Sequence, residues 1–105
     1  MTRPKKERIV RCSPAAYYFK PRGIPMSELE EIILEPDELE AIRLADYLDH
    51  SHEFAAIQMN ISRATFGRIV AKARKKLAQS ILNGNAIRIS EEMSAELKNK
   101  YKPKC

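Results

Sequence analysis

The densest chemical signal in the chain is cationic. Arg63, Arg68, Lys72, Arg74, Lys75 and Lys76 fall within residues 59–78, a stretch that contains no acid. Guanidinium and ammonium groups crowded on one segment suit a polyanionic partner, through point charges and hydrogen bonds to phosphate oxygens. The other reactive side chains make a weaker pattern. Glu28, Glu30, Glu31, Glu35, Asp37, Glu38 and Glu40 offer carboxylates, and His50 and His52 offer imidazoles. No nucleophile motif, glycine-rich phosphate loop or metalloprotease helix accompanies them. The acids therefore read as solvated or helix-terminal charges, the histidines as polar loop residues, and no catalysis is expected. Cys12, Cys105, His50 and His52 lack zinc-ligand spacing, so neither metal nor cofactor is expected. With two cysteines the chain is far from a disulfide framework, and both are expected as reduced thiols.

Charge is sorted along the chain. Residues 1–22 carry seven basic groups against Glu7, residues 23–58 carry ten acids against Arg43, and residues 59–78 carry six bases alone. The net charge of +5 thus conceals two basic segments flanking an acidic one. A length of 105 residues bounds the chain to one domain, too small for a deep substrate cavity. At 44% hydrophobic and 31% charged it reads as soluble and folded. No apolar run approaches the ~20 residues of a membrane span, and no apolar stretch of signal-peptide length follows the basic start. The expected location is the cytoplasm, with no membrane partner.

The elements that must position the basic segment follow from local signals. Pro4, Pro14, Pro21, Gly23 and Pro25 exclude a long helix from residues 1–25, which read as a basic arm. Ile9-Val10 suits a short strand, Tyr17-Tyr18-Phe19 a cover for a core edge, and Met26–Glu31 a single helical turn. Ile32-Ile33-Leu34 is a brief β-branched run. Pro36, with Asp37 and Glu38 behind it, opens a helix over 36–48 whose inner stripe is Leu39, Ile42, Ala45 and Leu48. Ser51 caps a helix over 52–59, and Ser62 caps a longer one from 63 to about 82, which Asn83-Gly84-Asn85 stops. Ala86–Ile89 alternates as a strand and is expected to pair with 32–34 or 8–11. Ser90 would cap a last helix over 91–100. The domain reading is an arm at 1–25, a helix-turn-helix domain at 26–89 with its motif at about 52–71, and a C-terminal helix and tail at 90–105.

The centre of that domain has the residue types a DNA-reading helix-turn-helix requires. Two helices crossing closely need a small residue at the approach, a residue tolerant of positive φ in the turn and apolar groups between them. Ala56, Asn60, and the set Met59, Ile61, Phe66 and Ile69 fill those positions. Along the second helix, Phe66, Ile69, Val70, Ala73, Leu77 and Ile81 form an apolar stripe. Arg68, Lys72 and Lys75 lie opposite, near Ala64, Thr65, Gly67 and Ala71. Early residues of such a helix reach base edges and later ones reach phosphates. Arg63, Thr65 and Arg68 are therefore the expected base contacts. Ser62, Lys72, Arg74, Lys75 and Lys76 are the expected phosphate contacts, with Lys5 and Lys6 of the arm, whose Arg3 and Arg8 are likewise expected at the backbone or minor groove.

These residues resemble a known family. The runs RPKK (3–6), YFKPRGIP (18–25), ELEEIIL (28–34), DELEAIRLAD (37–46), SRATFGRI (62–69) and AIRI (86–89) are similar to those of a prokaryotic predicted DNA-binding family, domain-of-unknown-function family 134. The central motif also resembles region 4 of sigma factors of the seventy class. The resemblance covers residues 3–89, with two departures. Asn60 stands where the family commonly has glycine, and SHEFAAIQ stands where it commonly has glutamates. It implies a mostly α, sigma-region-4-like fold with a small β element from short terminal and central strands. It also implies sequence-specific binding of double-stranded DNA, in transcription. Two half-sites would sharpen selectivity, so a homodimer is expected, with Ile81, Leu82, Ile89 or the 91–100 helix as its contact. The alternative is an interaction or metal/redox-sensing adaptor of the transcription machinery. Its acidic segment 28–40 would dock on RNA polymerase, while in the simpler reading those acids face water around Leu29, Ile32, Leu34 and Leu39.

Overall fold

The computed structural model describes residues 8–91 and has three helices and a three-stranded sheet. Strand β1 is Tyr18–Phe19, β2 is Glu31–Leu34 and β3 is Ala86–Ile89. Helix α1 spans Pro36–Ile42 and runs into a π-helical turn at Arg43–Tyr47, α2 spans His52–Met59, and α3 spans Arg63–Asn83. A 3₁₀ turn at Met26–Glu28 precedes β2. β3 lies between the other two strands, antiparallel to β1 and parallel to β2. All three helices lie in the connection from β2 to β3. The strand expected at Ile9-Val10 is absent, and the aromatic run supplies β1 instead. Two residues suffice there because β3 provides the partner, Tyr18 facing Arg88 and Phe19 facing Ile87.

Local chemistry explains the helix boundaries. Pro36 has no N–H to leave unpaired at the start of α1, and the Glu35 N–H donates to the Glu38 carboxylate at 2.9 Å. The Ser51 and Ser62 hydroxyl oxygens accept from the N–H of Phe54 and Thr65, each at 3.1 Å. Asn60 takes left-handed geometry (φ 59°, ψ 46°) at the end of α2, and Gly84 does the same at the end of α3. The helix expected over 36–48 departs from α geometry at Arg43, and Leu48 N–H bonds back five residues to Arg43. Leu39, Ile42 and Ala45 pack against the apolar core as the stripe predicts, and the wider π turn alters the phase only beyond Arg43. Ala41 and Leu44 are buried, while Leu48 is 40% exposed.

Two apolar clusters hold these elements. Ala41, Leu44, Ala55, Ala56, Met59, Phe66 and Val70 join α1, α2 and the first half of α3, with Ile61 and Ile69 packed against them. Leu34, Ala73 and Ile89 join the sheet to the second half of α3, with Leu39, Leu77 and Ile87 alongside. Ile42 touches both clusters. Phe66 has no solvent exposure, and burial of such a side chain contributes about 1.5–3 kcal/mol. Along α3 the expected stripe holds through Leu77 but not at Ile81, which is 76% exposed. Ser80 is buried in its stead, its hydroxyl donating to the Lys76 carbonyl at 2.9 Å. Ile89 is also buried, which removes it from the surface residues expected to join two copies. Cys12 is buried. Cys105, Lys5, Lys6 and all of the expected 91–100 helix beyond Glu91 lie outside the described residues.

Candidate nucleic-acid interface

The site is built on the first half of α3 and the turn before it. The inner side of that turn is apolar: Ala56, Met59 and Phe66 are buried, and the His52 ring meets Phe66 edge-on at 5.2 Å. His52 is thus the first residue of α2 and a packing group, not a loop residue. His50 lies against Phe54 in the same edge-on manner at 4.7 Å. Asn60 turns the chain, its N–H bonding to the carbonyls of Ala56 and Ile57, and Ser62 opens α3. Ser62 has a second role, since its hydroxyl also donates to Thr65 Oγ1 at 3.0 Å. One Arg68 Nη lies 3.5 Å from the same Thr65 oxygen. Ser62, Thr65 and Arg68 therefore form one polar row on the outward side of the first two turns.

The basic residues of α3 divide into two sets. Arg63, Arg68, Lys72 and Lys75 are exposed, and none forms an ion pair among the described residues. Arg74 and Lys76, expected at phosphates, are engaged within the fold. Arg74 donates twice to Asp46, Nε to Oδ2 at 3.1 Å and Nη2 to Oδ1 at 2.7 Å. Those bonds hold the Asp46 carboxyl below the usual carboxylate range and push the Arg74 guanidinium up. The Lys76 ammonium donates to Glu38 at 2.7 Å and to the Ile33 carbonyl at 2.6 Å. Its side chain is largely covered, and its position on the flank of α3 faces α1 and β2 rather than outward.

Half of the acids in the middle of the chain are consumed in the same way. Glu38 and Glu40 are only 4% and 2% exposed, so the expectation that the acids of 28–40 face water fails for both. Glu40 receives two bonds from Arg43, the shorter at 2.7 Å, and Asp37 pairs with Arg8 at 3.4 Å. Glu31 accepts from the Tyr18 hydroxyl at 2.9 Å and from Arg88 at 3.1 Å, which together lower its pKa, the tyrosine bond more. A buried carboxylate requires such partners, and amphipathic spacing alone gives no sign of which base will supply them. Of the acids expected to form a docking face, Glu28, Glu30 and Glu35 remain exposed without an ion pair among the described residues.

Sequence reasoning missed one basic residue near the turn. Arg11 is exposed and donates to the backbone carbonyl of Gln58 at 3.3 Å, at the end of α2. Only its place in the basic arm marked it beforehand. Among the described residues no group of three or more His, Cys, Asp or Glu side chains is placed to hold a metal ion. Nor is any helix among them long and apolar enough to cross a membrane.

Comparison with known proteins places this arrangement in a family. The family model described as "Protein of unknown function DUF134" matches residues 1–96, seven residues further than the motifs alone reach. A UPF0251 protein of Desulfosudis oleivorans is 56% identical over 89 residues, covering 85% of this chain and 64% of its own. One from Pelotomaculum thermopropionicum is 52% identical over 90 residues, covering 86% of this chain and 68% of its own. UPF0251 protein MMP0619 of Methanococcus maripaludis is 49% identical over 87 residues, covering 83% of this chain and 66% of its own. The chain thus spans about two thirds of the length of these relatives. No solved structure matches it. With the family model covering most of the chain and identity near one half, the protein belongs to the DUF134 (UPF0251) family.

Proposed function

We propose that the protein binds double-stranded DNA in a sequence-dependent manner and acts in transcription, with α2, the Asn60 turn and α3 as a helix-turn-helix of the sigma-region-4 type. One observation carries this reading. Among the described residues, the outward side of α3 from Arg63 to Lys75 keeps four cationic side chains without ion-pair partners, while Glu31, Asp37, Glu38, Glu40 and Asp46 are all taken up by bases elsewhere in the fold. In this reading the first turns of α3 enter the major groove. Arg63, Thr65 and Arg68 face base edges there, with Arg68 able to donate two parallel bonds to guanine. Lys72 and Lys75, one and two turns on, meet phosphates. Ser62 contributes mainly as the cap that orients the helix, because its hydroxyl is already shared with Thr65.

Gly67 supports the same reading. It lies inside α3 with an ordinary φ, and a Cβ added there would meet nothing within 4 Å. The fold therefore gives no reason for a glycine, which costs about 1 kcal/mol against alanine in a helix interior. Close approach of an external backbone would supply one.

A homodimer belongs to this proposal, since one short helix reads few base pairs. Ile81 and Leu82 stand 76% and 82% exposed at the far end of α3 and are the expected contact residues that stay open among the described ones. A single monomeric species in sedimentation at micromolar concentration would remove it. The test of the reading itself is selection from a pool of genomic duplexes by wild type and Arg68→Ala. Wild type is expected to retain a few fragments, and the variant to lose that preference by about 1–3 kcal/mol. Equal retention of all fragments by wild type would refute sequence reading, and retention of none would refute DNA binding.

A further inference from the structure

The start of the described chain runs across the end of α2. Asn60 N–H serves the carbonyls of Ala56 and Ile57, and Ile61 N–H serves Ala56 again. This leaves the last two carbonyls of α2 to be met from elsewhere. Ile9 N–H donates to Met59 O at 3.1 Å, and the Arg11 guanidinium donates to Gln58 O at 3.3 Å, across 47 residues of sequence. A distant segment thus completes the helix end and is pinned beside the turn that leads into α3.

The side chain that does this is only partly used. A guanidinium carries five N–H donors, and Arg11 is exposed, with no carboxylate partner among the described residues. Arg8, three residues earlier, is by contrast paired with Asp37. We propose that Arg11 is a phosphate ligand for duplex DNA, holding the backbone that flanks the groove entered by α3. This rests on the DNA-binding reading and extends its footprint to a second segment of the chain. The bond to Gln58 fixes the side chain relative to the turn before DNA arrives, so little ordering remains to be done on binding.

The experiment is affinity against salt for a retained duplex, with wild type, Arg11→Gln, Arg11→Lys and Arg68→Ala, each with its melting temperature. Loss of one phosphate contact lowers the slope of log affinity against log salt by about 0.9. Arg11→Gln is expected to show that loss on every fragment, with fragment preference intact, and Arg11→Lys to restore the wild-type slope. An unchanged slope in Arg11→Gln, whether or not its melting temperature falls, makes Arg11 a helix-closing residue alone and overturns the proposal. If Arg68→Ala loses selection while Arg11→Gln matches wild type, the inference fails and the DNA-binding reading stands. If wild type retains no duplex, both fail.

Discussion

Lys75 and Lys76 are neighbours in sequence, yet they occupy opposite kinds of surface. Lys76 turns to the flank shared with α1 and β2, where it neutralises the buried Glu38 and bonds to a strand carbonyl. Lys75 turns outward with Arg68 and Lys72 and has no ion-pair partner among the described residues. The first region is closed electrostatically: base and acid satisfy one another, and removal of either leaves a charge without compensation. The second is open, and its charges cost the fold little because water solvates them. Charge counting along the sequence cannot separate the two regions. Helical phase and the burial of a partner acid can.

The largest expected effect lies on the closed side. Lys76→Ala leaves Glu38 buried with only the Glu35 N–H, and breaking such a pair costs about 3–5 kcal/mol. Urea denaturation should place the variant near the low end of that range, because the capping bond remains. A loss below about 0.5 kcal/mol, the level of an ordinary surface substitution, would erase the distinction between the regions.

Gly67→Ala sharpens the comparison from the open side. With space for the methyl and ordinary helical geometry, it should raise stability by about 0.8–1 kcal/mol. The same methyl stands on the surface proposed to approach DNA, so affinity should fall as stability rises. A gain in stability with unchanged affinity would move the DNA away from this part of α3.

The smallest effect concerns Asp46 and Arg74, a pair between the two extremes, with both side chains more than 40% exposed. Arg74 depresses the Asp46 pKa in the folded state, so the pair stabilises above the unfolded value of about 3.9. That contribution disappears as pH falls through the lower folded value. Exposure limits it to about 1 kcal/mol or less at neutral pH. The stability difference between wild type and Asp46→Asn should therefore be constant near neutrality and shrink below about pH 4. A difference that stays constant to strongly acidic pH would mean the carboxylate charge contributes nothing there.

What the sequence makes legible here is what neighbours in sequence decide. Ser51 and Ser62 as caps, Asn60 in a left-handed turn and Gly84 at the end of α3 each depend on geometry within four residues. The buried set Ala56, Met59 and Phe66 follows from the spacing those turns impose. The rest depends on partners far away. β1 exists because β3 passes beside Tyr18 and Phe19, and nothing within residues 8–19 distinguishes it from Ile9-Val10. Ser80 displaces Ile81 from the core through a small difference in helical phase, with the serine bonded back to its own helix. Arg74 and Lys76 look like Lys72 and Lys75 until Asp46 and Glu38 are placed against them. Arg11 becomes visible only when the end of α2 is seen to need a donor.

The measurement closest to the central claim compares the neighbouring lysines directly. DNA affinity would be followed from low to moderate salt for wild type, Lys75→Ala and Lys76→Ala, at a temperature where all three are folded. Lys75→Ala is expected to lower the slope of log affinity against log salt by about 0.9 with no loss of stability. Lys76→Ala should keep the wild-type slope while losing stability. Equal slopes for wild type and Lys75→Ala, or a lower slope only in Lys76→Ala, would contradict the assignment of the outward face of α3 to DNA.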